Sequence, residues 1–265
     1  MNVIGLYKDH ELGMNNGSVS RPESSLRLQG APNFRDLGGL VNAQGQSLHT
    51  GLIYRSDHLG KLTQQDTQKL ESHNDRPWLV LDFRGLDERN AFPCSLPDAK
   101  VVSLPIEPTV LQALSDLHQQ GIEISSEKTV ELMQDTYRNF IFQHSHTFGA
   151  FFDALLSHSD FNVVFHCTAG KDRTGVAATL LLHALNVPMD SIWDDYLLTN
   201  ERLKAFPIHE VSPAVAQVLR TVQPAFLQAA LQAIETQYSN MDVYLHQALG
   251  VNQNARQLLA NRLLG

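Results

Sequence analysis

The segment HCTAGKDRTG, residues 166–175, follows directly after the apolar residues Val163, Val164 and Phe165. It contains Cys167, one of only two cysteines in the chain, and Arg173 follows after five intervening residues. Gly170 permits a tight or left-handed backbone, so this segment can curl around a single point. Backbone N–H groups facing such a point bind an anion, and the Arg173 guanidinium suits bidentate contact with phosphate oxygens.

These residue types together predict phosphoryl transfer through a cysteinyl-phosphate. Positive potential in the loop favours the thiolate form of Cys167, which is the nucleophilic form of a cysteine. The hydroxyl of Thr174 is placed to hydrogen-bond the sulfur and ease its departure when the intermediate breaks down. His166 is predicted to hold the backbone of the loop in shape and not to act as a base.

The elements around this loop are typical of an α/β fold. Continuous apolar runs predict buried parallel strands at residues 52–56, 78–83, 101–106 and 162–166. Helices are predicted over residues 108–120 and 125–158, and almost throughout the chain from residue 174 onward. We therefore expect a central, mostly parallel sheet flanked by helices, with a helical C-terminal half. The cysteine loop would lie at the carboxyl end of a strand, where open α/β sheets carry their functional sites.

The domain organisation is predicted to be simple. Residues 1–30 are polar and rich in Ser, Asn and Gly, which indicates a loose N-terminal arm. Residues 31–265 are expected to form one domain, because no repeat or linker divides them.

Composition limits the partners and the compartment. The 265 residues are 43% hydrophobic and 18% charged, and the net charge of -8 argues against nucleic acid as a partner. Two cysteines cannot form a disulfide framework. No apolar run reaches the length of a membrane span, and the first residues lack the apolar core of a signal peptide. We predict a cytoplasmic, reduced protein. Export without a signal peptide and the oligomeric state stay open.

The loop resembles the C-x5-R-[ST] signature of the cysteine-dependent protein tyrosine phosphatase superfamily. It is most similar to the bacterial and fungal branch of tyrosine-specific and lipid-acting phosphatases. Further segments resemble the same branch: APNFRDLGG at 31–39, GLIYRSDHL at 51–59, LVLDFRGLDER at 79–89, DYLLTN at 195–200 and YSNMDVYLHQALGV near the C-terminus. The resemblance thus covers nearly the whole chain from about residue 30. It implies that residues 31–265 are a single phosphatase domain, in which residues 108–145 are a candidate helical lid over the site.

The resemblance implies roles for the loop residues. Cys167 would be the nucleophile and Arg173 the phosphate clamp. The phosphate-binding residues would be Thr168, Ala169, Gly170, Lys171, Asp172, Arg173 and Thr174. No metal or organic cofactor is expected, because the arginine and the loop amides supply the positive charge.

Two carboxylates compete for the role of general acid. Asp82, at the end of a predicted strand, is the first choice, and Asp172 inside the loop is its rival. The alternative interpretation of Asp82 is a strand-end carboxylate that pairs with Arg84 or Arg35. Lys171 would either contact a second phosphate, as on an inositol ring, or pair with Asp172.

The predicted function is hydrolysis of phosphate monoesters, with protein phosphotyrosine as the preferred substrate. A phosphoinositide phosphatase and a phosphate-binding pseudoenzyme are the alternatives. A rhodanese-type sulfurtransferase would also use a cysteine loop, but Arg173 and Thr174 at its end disfavour that class. Whether Cys94 can pair with Cys167 stays open.

Overall fold

The computed structural model describes residues 26–73, 76–107, 110, 113, 114, 116, 117, 120, 123–203 and 211–265. Within these residues one sheet has the strand order β1-β2-β5-β3-β4. Its strands are β1 (Arg35–Asp36), β2 (Ile53–Ser56), β3 (Trp78–Asp82), β4 (Lys100–Ser103) and β5 (Asn162–His166). Only β1 runs antiparallel to its neighbour, and the other pairings are parallel. The predicted α/β fold with a mostly parallel sheet is confirmed.

The central strands are buried on both faces, which explains their continuous apolar sequences. Every residue of β3 and β5 is buried. Because side chains alternate between the faces of a strand, Leu79 and Leu81 pack in one hydrophobic cluster while Trp78 and Val80 pack in another. His166, the last residue of β5, is in register with Ser56 and Asp82. The carboxyl ends of β2, β3 and β5 therefore meet at one edge of the sheet.

Helices cover both faces and form most of the C-terminal half. They are α1 (Gln64–His73), α2 (Leu86–Ala91), α3 (Ser126–Ser157), α4 (Asp172–Ala184), α5 (Met189–Arg202), α6 (Pro213–Arg220), α7 (Pro224–Tyr238), α8 (Met241–Gln247) and α9 (Gln253–Leu263), with a short 3-10 helix at Leu59–Lys61. Helix α4 is apolar on nearly all sides because it lies in the centre of the larger cluster. None of the described helices combines the length and the apolar composition that a bilayer crossing requires.

Two predicted regions lie partly outside the described residues. Of the predicted N-terminal arm, residues 1–25 are outside, while Leu26 and Leu28 are buried in the smaller cluster. Of the candidate lid, most of residues 108–122 is outside, and residues 126–145 belong to α3. That part of α3 buries Met133, Tyr137 and Phe140 against the core. The lid stays a prediction.

Candidate active site

The cysteine loop, residues 167–173, follows β5 and includes the first two residues of α4. Gly170 has a φ of 66°, and a Cβ atom at this position would lie 2.2 Å from the backbone oxygen of Ser56. Only glycine fits such a left-handed turn against a neighbouring backbone. Cys167 is 2% exposed at the base of the turn. The tight curl predicted from Gly170 is therefore present.

The shape of the loop is fixed from outside through its carbonyl groups. Each carbonyl oxygen from residue 167 to residue 171 accepts a hydrogen bond of 2.9 to 3.0 Å. The donors are His166 Nδ1 to Cys167, the His58 N–H to Thr168, Asn33 Nδ2 to Ala169 and Gly170, Arg55 Nη2 to Gly170, and the Gly175 N–H to Lys171.

This pattern orients the N–H groups of the loop. In a trans peptide the C=O and the N–H point to opposite sides, so carbonyls bonded outward leave the N–H groups of residues 168–172 facing inward. No backbone N–H of residues 168–173 donates a hydrogen bond to the described part of the chain. The N-terminus of α4 adds its partial positive charge at the same place. The loop thus has the geometry of an anion-binding nest.

Arg173 is held by a carboxylate that the sequence analysis did not single out. Its Nη1 and Nη2 atoms each donate to an oxygen of Glu88 at 2.7 Å. Nη1 also donates to the backbone oxygens of Ile106, at 2.8 Å, and Phe83, at 3.3 Å. Among the described residues nothing binds Nε of Arg173, so its Nε–Nη2 edge is available for two oxygens of a phosphate group.

Glu88 is a fixed anion at this site. Burial alone would raise the pKa of Glu88, but the hydrogen bonds and charge of Arg173 outweigh burial and lower it to about 2. Glu88 also accepts hydrogen bonds from the hydroxyl of Thr168 and the N–H of Gly85. The available sequence signal was weak: a glutamate in the third position of the short helix α2, as in a capping box.

Asp82, the first choice for the general acid, lies at the predicted sheet edge but in a closed ion pair. It is 1% exposed, and Arg84 binds both of its carboxylate oxygens, with Nε 2.9 Å from Oδ1 and Nη2 2.7 Å from Oδ2. Burial alone would raise the pKa of Asp82, but the hydrogen bonds from Arg84 keep it below its ordinary value. This arrangement matches the alternative interpretation, a strand-end carboxylate paired with Arg84.

Asp172, the rival, is more accessible and belongs to the loop end of α4. Its side chain is 21% exposed, and Lys171 Nζ lies 2.8 Å from each of its carboxylate oxygens. The hydroxyl of Tyr137, on α3, donates to Asp172 Oδ1 at 2.9 Å. Lys171 is itself buried. The pairing with Asp172 that the sequence suggested for Lys171 is thus present.

His166 and Thr174 flank the reacting loop. Burial lowers the pKa of His166, so the ring is neutral, and its contact with the Cys167 carbonyl requires the proton on Nδ1. That contact is consistent with a role in shaping the loop. The hydroxyl of Thr174 is buried without a hydrogen-bond partner in the described residues, so its bond to sulfur stays a prediction. Cys94 and Cys167 are both free thiols.

A buried ion network supports the loop from the side of the N-terminal segments. Asp195, on α5, binds Arg35 at 3.1 Å and Arg55 at 2.6 Å. Arg55 then donates to the Gly170 carbonyl, and Arg35 bonds Asn33, which holds the same carbonyl. The segments NFRD, YRSD and DYLLTN thus meet through these side chains behind the loop.

Asp57 is a second titratable group that the sequence analysis did not single out. It directly follows β2, is buried, and its Oδ1 accepts a hydrogen bond from the Asn33 N–H at 3.0 Å. Burial raises the pKa of Asp57 to about 7, since the nearby hydrogen bonds and the charge of Arg35 offset only part of the desolvation.

Comparison with known proteins agrees with this geometry. The tyrosine phosphatase family matches residues 26–265. A Cupriavidus necator protein named as a tyrosine-protein phosphatase is 31% identical over 243 residues, covering 88% of this chain and 86% of the relative. The triple specificity protein phosphatase PtpB of Mycobacterium tuberculosis is 27% identical over 278 residues, covering 90% of this chain and 98% of the relative. The chain therefore belongs to the tyrosine phosphatase family.

Proposed function

We propose that the protein hydrolyses phosphate monoesters through a cysteinyl-phosphate on Cys167, with protein phosphotyrosine as the preferred substrate. The observation that carries the proposal is the loop itself: its carbonyls are all bonded outward and its N–H groups face inward above a buried cysteine. The Nε–Nη2 edge of Arg173, whose Nε has no partner among the described residues, completes a cradle for the three equatorial oxygens of a phosphoryl group in transfer.

The reaction has two balanced steps. In the first, the Cys167 thiolate attacks phosphorus, the bond to the ester oxygen breaks, and a carboxylic acid gives that oxygen its proton. In the second, the resulting carboxylate accepts a proton from water as the water oxygen attacks phosphorus. The S–P bond then breaks, and the thiolate and inorganic phosphate are formed. Both transition states are stabilised by the same loop amides and by Arg173.

Asp172 is the better candidate for the acid. A general acid must carry a proton at the working pH and reach the leaving oxygen. Asp82 meets neither requirement, because it is ionised, buried and bound on both oxygens by Arg84. Asp172 is partly exposed in the loop, and its carboxylate faces a lysine that a substrate phosphate would attract.

Lys171 supports the alternative of a phosphoinositide substrate. Its ammonium group, next to the cradle, would meet a second phosphate group if it left Asp172. The name of the mycobacterial relative, a triple specificity phosphatase, supports testing more than one substrate class. A phosphate-binding pseudoenzyme is disfavoured because the nucleophile, the clamp and an acid candidate are all present.

The test is hydrolysis of p-nitrophenyl phosphate in reductant and excess chelator by the wild type and by Cys167→Ser. We expect activity in the wild type alone. A panel of phosphotyrosine peptides and phosphoinositide vesicles then ranks the substrates. Equal activity in the two proteins would contradict the cysteinyl-phosphate route. A folded but inactive wild type that binds vanadate would favour the pseudoenzyme.

A further inference from the structure

Two buried tyrosines connect the loop to helices outside it. Tyr137 on α3 and Tyr196 on α5 are 0% and 1% exposed. Their hydroxyl oxygens are 2.8 Å apart, and the Tyr137 hydroxyl is 2.9 Å from Asp172 Oδ1. Buried phenols are normally hydrogen-bonded, so the position of the Asp172 carboxylate is tied to both helices.

The direction of this hydrogen-bond chain follows from counting protons. Burial, and then the charge of Asp172, raise the pKa of both phenols well above the ordinary range, so each keeps its proton. If Tyr137 donates to Asp172, its oxygen accepts the proton of Tyr196. The chain then runs from Tyr196 to Tyr137 to Asp172. In this arrangement the Tyr196 proton points to Tyr137, so none is available for the 3.4 Å contact between the Tyr196 hydroxyl and the Gln223 carbonyl.

We propose that Tyr137 is a positioning residue for Asp172, holding Oδ1 so that Oδ2 is directed to the leaving oxygen of the substrate. The proposal rests on the proposed function, in which Asp172 is the general acid. Lys171 now contacts both carboxylate oxygens. When a substrate phosphate attracts that lysine, the hydroxyl of Tyr137 is the contact that still fixes the carboxylate.

The same contact restricts the Asp172 side chain, because Oδ1 is bonded to the hydroxyl of a fully buried ring. The charged and titratable groups that act on this carboxylate are Lys171, Arg173, Tyr137 and Tyr196. Of these, Tyr137 alone is a neutral donor in direct contact with it.

The test is Tyr137→Phe, which removes one oxygen and keeps the ring. Phenyl phosphate needs a proton on its leaving group, whereas p-nitrophenyl phosphate needs one much less. We expect kcat/KM, which reports the step in which the leaving group departs, to fall about tenfold on phenyl phosphate, a part of the full contribution of a general acid. The loss on p-nitrophenyl phosphate should be smaller than about threefold. Tyr196→Phe, one hydrogen bond further from the carboxylate, should give a smaller change of the same kind.

The matched control is Tyr244→Phe. Tyr244 is also fully buried and its hydroxyl also bonds a residue of α3, Ser145 at 2.9 Å, but not the loop. It should lower stability by a similar amount and leave both kinetic readouts unchanged. If Tyr137→Phe changes the kinetics no more than this control does, the positioning role is overturned.

A readout without turnover separates this proposal from the proposed function. In ¹³C NMR at fixed pH, with Asp172→Asn as the assignment standard, the chemical shift of the Asp172 carboxyl carbon should change in Tyr137→Phe but not in Tyr244→Phe, because the Tyr137 hydroxyl bonds this carboxylate and the Tyr244 hydroxyl bonds Ser145. That result with an inactive wild type would remove the proposed function and leave the contact in place. An unchanged chemical shift in Tyr137→Phe overturns the positioning role, whatever the activity.

Discussion

The two halves of the cysteine loop are held in different ways. The first half, residues 167–170, is fixed through backbone carbonyls, whose side-chain donors include the fully buried Asn33 and Arg55. The second half, residues 171–173, is held by ion pairs of its own side chains, Lys171 with Asp172 and Arg173 with Glu88. In these two pairs the carboxylates are 21% and 20% exposed.

The contacts of the first half determine the shape of the loop, and those of the second half hold the groups that would react. Buried partners that contact the loop only through its backbone oxygens set the curvature of the nest and have no contact that a substrate would need to replace. Partly exposed ion pairs hold reactive groups in place while leaving donors that a phosphate group can use. We therefore expect substitutions that affect the contacts of the first half to change mainly stability, and substitutions that affect the contacts of the second half to change mainly turnover.

The largest effect, on the free energy of unfolding, is expected from Asp195→Asn, in the network that supports the first half of the loop. It leaves the buried guanidinium groups of Arg35 and Arg55 without this carboxylate. Removing one partner of a buried ion pair costs about 3–5 kcal/mol. Urea unfolding at pH 7 should show a loss of at least this size, and activity should fall because Arg55 no longer holds the Gly170 carbonyl in place.

The control for that prediction is Asp242→Asn. Asp242 pairs with Arg256 at 2.8 Å, but its side chain is 66% exposed. Exposed pairs contribute about 1 kcal/mol or less, so its unfolding curve should move little. Equal losses in the two variants would mean that the network behind the loop is not a special source of stability.

The next largest effect, on kcat/KM, is expected from Glu88→Gln, which changes the partner of Arg173 in the second half of the loop. The amide keeps the size of the side chain but loses the charge and one acceptor for Arg173. Misplacement of the clamp should lower kcat/KM on p-nitrophenyl phosphate about 10- to 100-fold, with a smaller change in unfolding free energy than Asp195→Asn causes. Because the pKa of Glu88 is about 2, the wild-type pair stays intact at pH 4 and above, and Glu88 should not produce the acidic limb of the pH–rate profile.

Glu131→Gln provides the matched control. Glu131 pairs with Lys128 on the surface, where both side chains are about half exposed or more, and its activity should equal that of the wild type. A rise in kcat/KM in Glu88→Gln would reverse the interpretation. It would show that Glu88 competes with phosphate for the arginine and does not orient it.

The sequence predicts the loop and the sheet well because both are encoded locally. The apolar run and the residues of 166–175 are contiguous, and β5 begins and ends where its composition predicts. The supporting contacts are not local: Asp195 is 160 residues from Arg35, and Glu88 is 85 residues from Arg173. No short-range pattern identifies such partners.

From the sequence, Asp82 ranks above Asp172 as the acid, but the sequence does not reveal the side-chain partners of either residue, for the same reason. The predicted strand ends place both Asp82 and Asp172 at one edge of the sheet. Hydrophobic periodicity gives no information on which side chains contact them there. Only the side-chain geometry shows that Arg84 closes over Asp82 and that the hydroxyl of Tyr137 reaches Asp172.

The smallest effect is expected from Asp57→Asn, which tests the buried support of the first half of the loop through the pH dependence of stability. The pKa of Asp57 is raised to about 7 in the folded protein, so between about pH 4 and pH 7 the folded state keeps a proton that the unfolded chain releases. Its carboxyl therefore lowers stability progressively as pH rises through that window. Asparagine removes this cost and can still accept the Asn33 N–H. Relative to the wild type, the variant should gain at least about 1 kcal/mol more at pH 8 than at pH 5.

Asp66→Asn is the control, because the pKa of Asp66 is shifted in the opposite direction to that of Asp57. Burial alone would raise the pKa of Asp66, but hydrogen bonds from the N–H groups of Gln29, Gly30 and Thr63 keep it below its ordinary value. The stability that Asp66 contributes is fully present above the ordinary aspartate pKa and is lost only at more acidic pH. Asp66→Asn should therefore cost the same at pH 5 and pH 8. If Asp57→Asn were equally independent of pH, Asp57 would be ionised at neutral pH, and the backbone-bonded side of the loop would carry a buried negative charge.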